Sequence, residues 1–295
     1  MKVARTVADI LSVQDERQIN CREADLALAH VRTTSALYFA QSQLRKISAL
    51  IGRDTPAGVI VQRIVGSDTQ LNETISWILG SMWQLEGGGL DFKTRLSSAI
   101  EFFGWDIVRE VICFAMLHQV HAELGPKAFA SSADLDAFCL GTLTAGAFVG
   151  ADPFSAMLCN VGVAGLCGIG GLKYAEMRQS LGDAPEQLLD AETAEFGFDH
   201  AYLGAAMLME ADISQSIVKN VLRHPDSGTV LWLAEQLSTE AGVGGGLGLA
   251  KPDLRAMAVA GSRLGAKKIE RILRAVKEAS DLPRHVFATV QFSAA

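Results

Sequence analysis

Hydrophobic positions recur with a helical period from one end of this chain to the other. After Asp68, Leu71, Ile75, Ile78 and Leu79 fall at i, i+4, i+7 and i+8, one stripe of a helix that Asp68 is placed to cap and that stops at the turn "EGGGLD". Upstream, 24–50 contains "LALAHVRTTSALYFAQSQLRKISAL", charged on one side and closed by a glycine, and reads as one helix. Pro56 opens a short helix to Val65. Further helices are predicted over 94–103, 105–124, 133–149, 153–165 and 172–181, and Pro185 starts another that reaches Ala194. Asp199 caps 200–210. Ile213 to Arg223 is amphipathic through Ile213, Ile217, Val218 and Val221, and Thr229 to Ala241 follows. The clearest break is "GVGGGLG" at Gly242–Gly248, after which Pro252 begins a pair of helices, the second being "AKKIERILRAVKEAS". No alternating strand pattern interrupts the series. The predicted class is all-α, with short connections.

Composition changes this picture little. The chain has 295 residues, 49% of them hydrophobic and 20% charged, so it has ample volume for a core and is not of a disordered type. A net charge of −7 with dispersed lysines and arginines offers nothing to a phosphate backbone, and it disfavours nucleic acid and anionic membranes as partners. Residues 138–172 carry almost no charge, but Asp152-Pro153 divides them and Gly, Ala and Cys dominate. Two buried helices of a soluble protein explain that run better than a membrane span. Five cysteines (Cys21, Cys113, Cys139, Cys159, Cys167), four in apolar stretches and none in CxxC spacing, point to reduced thiols in a cytoplasmic protein. The N-terminus shows no secretory apolar region.

Candidate chemistry is sparse. "GLCGIGGLK" and "GVGGGLG" lack the order of a phosphate-binding loop and follow no predicted strand. His118 and His121 stand at i and i+3, a spacing that can present two imidazoles to one metal, but the nearest acid in sequence, Glu123, lies off that face; a surface or partly buried pair is the plainer account. The segment "EFGFDHAYLGAAMLME" raises the sharper question. Asp199 at a helix start accepts naturally from the orphan amides behind it, and His200 can be a packed core residue.

Context extends that reading. "AEFGFDHAYLGAAMLMEADISQSIVKNVLRHPDSGTVLWLAEQL" resembles the C-terminal part of the HDOD family, relatives of the HD-type metal phosphohydrolases, in which a "GFDHAEVGA" helix precedes one ending in histidines and then one with "LADRL". "TRLSSAIEFFGWDIVREVICFAML" and "SDTQLNETISWILGSMW" are similar to two earlier family segments. The resemblance implies a compact multi-helix fold in three parts: an N-terminal helical extension over 1–46, an HDOD domain over 47–241 and a Gly-rich turn with a helical extension over 242–295. It also places Cys159 and Asn160 where hydrolytic relatives carry their His-Asp doublet, and Phe138 where they offer an earlier histidine. A neutral amide cannot supply the charge that holds a metal pair. What remains of the ligand positions is His200, His224 and Glu235, with Cys159 a further thiol. The family reading therefore implies no catalysis and no cofactor. It implies a bacterial signal-transduction module that meets a protein partner or a second copy of itself, with the helices outside the family core as contact sites. Asp199, His200, Arg223 and His224 line the cleft that would take a small-molecule or nucleotide ligand. Two alternatives follow from the same residues: a residual metal-dependent phosphohydrolase, or a cyclic-dinucleotide receptor.

Overall fold

Local chemistry sets the helix ends. In a computed structural model describing residues 20–51, 65–66, 68–85, 96–128, 132–181, 187–226, 228–243 and 264–293, Asn20, Asp68, Asp152, Asp199 and Thr229 each accept a first-turn amide through a side-chain oxygen. The helices are α1 (Cys21–Thr33), α2 (Tyr38–Leu50), α3 (Thr69–Leu85), α4 (Leu96–Phe103), α5 (Trp105–Leu124), α6 (Ser132–Val149), α7 (Pro153–Leu158), α8 (Val161–Gly170), α9 (Leu172–Leu181), α10 (Leu188–Phe196), α11 (His200–Glu210), α12 (Gln215–Arg223), α13 (Val230–Glu240) and α14 (Ala266–Ser293). Among the described residues there is no strand. The expected helix at Pro56–Val65, the turn after Leu85 and most of the Gly242–Gly248 break lie outside the described residues.

Two expected helices are broken. The 24–50 stretch divides at Thr34, whose backbone is extended at φ −87° and ψ 109°. The Thr-Thr-Ser tract supplies the reason: Thr33 Oγ1 donates back to the Ala29 carbonyl at 2.8 Å, and such hydroxyls compete with the helical ladder. The 153–165 stretch divides at Cys159–Asn160, where Asn160 leaves helical geometry at φ −101° and ψ 13°. That break re-aims α8 toward α11.

Packing gathers two neighbourhoods. In one, α6 lies against α13 and α14; in the other, α11 lies against α8, α1 and α12. α5 touches both through α6 and α8 and also carries α2 and α3. Phe138, Tyr174 and Phe198 are among the largest fully buried side chains. The apolar run Pro153–Gly170 is long and apolar enough, by length and composition, to cross a membrane, yet 78% of it is buried inside the bundle. Cys113, Cys139, Cys159 and Cys167 are buried and Cys21 is exposed; none is in a disulfide.

The apolar faces of the outlying helices turn inward. Ala24, Ala27, Leu28 and Val31 of α1 are buried, and Asn20 N–H donates to Tyr202 Oη at 2.9 Å. Ile272 and Val276 of α14 are buried, and Arg271 lies over the Phe148 ring of α6 at 5.9 Å. Amphipathicity that reads as a free contact surface in sequence is thus spent on the chain's own core, at least through Asp281.

Candidate functional site

The site begins with a helix crossing. At Gly162, a Cβ would stand 1.8 Å from the His200 carbonyl oxygen and 2.7 Å from the Gly204 amide nitrogen. Only glycine permits this approach. The crossing brings the start of α8, with Cys159 and Asn160, against the start of α11, with Asp199 and His200.

Asp199 Oδ1 accepts from the Tyr202 amide at 3.0 Å, a helix cap, and its side chain is buried. His200 does more. Its Nδ1 donates to Glu192 Oε2 at 2.6 Å, and its backbone N–H donates to the same oxygen at 2.9 Å. Glu192 Oε1 accepts from Tyr174 Oη at 2.7 Å, and Arg178 Nη1 donates to that hydroxyl at 3.2 Å. Glu192 and Tyr174 are fully buried and Arg178 nearly so. Burial opposes a charge on His200, but the Glu192 carboxylate and its hydrogen bond outweigh it, with Asp199 and Glu235 adding, and hold the imidazole pKa above its ordinary value.

His224 closes the group. Its ring centroid lies 5.3 Å from that of His200, and its Nδ1 donates to the Val221 carbonyl at 2.7 Å. Its Nε2 sits 3.9 Å from Glu235 Oε2, a contact and not a hydrogen bond. Burial pushes the Glu235 carboxyl up to about 7, against the lowering pull of His200.

Do these residues fit the metal pair of the hydrolytic relatives that the sequence resembles? The Cys159 thiol donates to the Ala156 carbonyl at 3.2 Å and accepts from Asn160 Nδ2 at 3.1 Å; burial, with Glu235 beside it, raises its pKa well above the ordinary thiol range. It is held as a thiol. Asn160 is buried and neutral, and its Oδ1 has no hydrogen-bond partner among the described residues. Phe138 is packed in the core of α6. Among the described residues no group of three or more His, Cys, Asp or Glu is arranged to hold a metal ion. The donor set does not fit a two-metal centre.

Of the four cleft residues read from sequence, Asp199, His200 and His224 are buried together, whereas Arg223 points away and lines an open cavity of ≈ 760 Å³. Sequence reasoning missed Glu192, which organises His200 from eight positions upstream. Its signal was faint, one of three acids in "DAETAEF". It also missed Asp136. His118 Nδ1 and His121 Nδ1 donate to the two oxygens of that fully buried carboxylate at 2.6 and 2.7 Å. The histidines are not a surface pair. An acid on α6 joins them, and Glu123 instead pairs with Lys127 at 3.0 Å.

No protein-family model matches this sequence, and no curated protein does. Solved structures do. An HDOD domain protein of unknown function from Geobacter sulfurreducens is similar over 88% of this chain and 98% of its own, at 17% identity and a TM-score of 0.66. A Marinobacter aquaeolei protein assigned provisionally to signal transduction is similar over 82% of this chain and 59% of its own, at 16% identity and a TM-score of 0.59. This chain therefore has the all-α fold of the HDOD domain.

Proposed function

We propose that this chain is a catalytically silent, HDOD-type signalling protein of the bacterial cytoplasm, acting through contact with a protein partner or a second copy of itself. The observation that carries the reading is the state of the doublet position: a protonated, internally bonded Cys159 and a neutral Asn160 where hydrolysis needs an imidazole and an anion. The provisional signalling assignment of the Marinobacter protein supports the same direction. Partner contact falls to polar faces, because the apolar faces of α1 and the first half of α14 are consumed internally.

One observation favours a second reading, residual metal-dependent hydrolysis. His200 and His224 are both held through Nδ1, by a carboxylate and a carbonyl, which is how metal-binding imidazoles are oriented. Assays with phosphodiester and phosphomonoester substrates across a panel of divalent cations separate the two. The silent reading expects no turnover above buffer; a robust rate abolished by His200→Ala would end it.

A further inference from the structure

The first turns of α14 bury one stripe and turn a basic one to solvent. Over 267–274, Lys267, Lys268, Arg271 and Arg274 are exposed and outnumber the single acid, Glu270. Among the described residues no carboxylate is in ion-pair contact with any of the four. α14 has no acid in its first turn, where Lys267 and Lys268 oppose the helix dipole, so these cations do not serve the helix itself. The opposite charge gathers at the α4–α5 turn and the head of α7. Glu101, Asp106 and Asp152 are exposed, Glu110 is partly buried, and Arg109 stands among them, bonded to Asp106 at 2.9 Å. Burial pushes the Glu110 carboxyl up, Arg109 pulls it down, and Asp106 and Asp152 push it up again, so the acids crowd one another. Phe102 and Ile107, 52% and 41% exposed, stand on the same turn.

The two groups flank one corner. Arg271 lies over the Phe148 ring at 5.9 Å, just before the α6–α7 corner, and Arg109 lies over the Phe154 ring at 5.2 Å, just after it. Four cations to one acid on one side thus adjoin four acids to one cation on the other. A nucleic acid or an anionic membrane would meet Glu270 and the acidic group beside it, on a chain of net charge −7. A second copy meets its complement in both places, because a two-fold axis sets each group on its opposite in the partner. We infer that this end of the molecule is a self-association surface, with the α14 cations of one copy on the carboxylates of the α4–α5 turn and α7 head of the other. The aliphatic stems of the cations cover Phe102 and Ile107. The inference deepens the proposed function by naming the face that a second copy meets; as a signalling contact it rests on that reading, and as a dimer it does not.

Sedimentation velocity of the full chain tests it. The chain should dimerise with a Kd of about 10 μM or tighter at about 20 mM salt, weakened by about tenfold or more at about 300 mM salt. Two charge-reversed proteins, Lys267→Glu with Arg274→Glu and Glu101→Lys with Asp106→Lys, should each be monomeric and keep the parent circular dichroism. Mixed in equal amounts they should form a one-to-one dimer, since both contacts are then complementary again. A chain that stays monomeric at about 100 μM in low salt, a dimer unmoved by salt or by either reversal, or a folded pair that does not recombine would each overturn the inference. So would a chain that stays monomeric yet binds phosphatidylserine vesicles or DNA through the same cations. None of those results bears on the silent reading, which the turnover assays decide separately.

Discussion

At the residue scale, three side chains make separable predictions. Gly162→Ala forces a methyl group into the His200 carbonyl, so it should cost about 3 kcal/mol or more in urea unfolding. Gly80, also helical but with nothing among the described residues within 4 Å of where a Cβ would stand, is the control; Gly80→Ala should be neutral or stabilising by about 0.5–1 kcal/mol. Glu192→Gln removes the anion that supports His200, and the His200 pKa followed by NMR should then fall. An unmoved His200 would detach the two residues. Glu235 gives a pH dependence. Its carboxyl titrates near 4.5 when unfolded and about 7 when folded, so its contribution is fully present below 4.5 and is lost as pH rises through 7. Glu235→Gln should therefore flatten the stability profile over that window, by at most about 3 kcal/mol. The cap at Asp199 was legible in sequence because capping is local. Glu192 was not, because nothing within its own helix marks which acid turns inward.

At the element scale, the helices pack through one large apolar core, and a few buried polar contacts tie particular pairs of them. The clearest ties α5 to α6 through His118, Asp136 and His121. Burial pushes the Asp136 carboxyl up, but the hydrogen bonds and charge of the two histidines outweigh it and lower its pKa. The sign is opposite to that of Glu235: this stability is present above the ordinary carboxylate range and disappears as pH falls through the lowered value. Asp136→Ala should leave both imidazoles without their acceptor and cost about 3 kcal/mol or more in chemical unfolding at neutral pH. A loss below about 0.5 kcal/mol would mark the trio as incidental. Helix positions were largely legible, since the apolar period sets them. The breaks at Thr34 and Asn160 were not, because both are small departures inside strongly helical patterns. The Asp136 link joins two helices, and no spacing rule within either could show it.

At the scale of the whole molecule, the order of motifs was enough to suggest the HDOD fold that the structural likeness then bore out, even though identity to solved relatives is only 16–17%. A helical bundle keeps its architecture through its apolar faces and its close glycine crossings, which tolerate wide change elsewhere. Function is the opposite case. The function we propose rests on a handful of polar positions, Asn160 first among them: an amide cannot take the place of the anion that a metal pair requires. Where the apolar stripes of α1 and α14 turn was not legible either, because an amphipathic helix looks the same whether its stripe meets a partner or its own core. The most direct test of the account is the metal content of the freshly purified full chain, by elemental analysis followed by manganese titration. The account predicts substoichiometric metal and no saturable uptake. Two equivalents of a divalent cation, lost on His200→Ala, would contradict it.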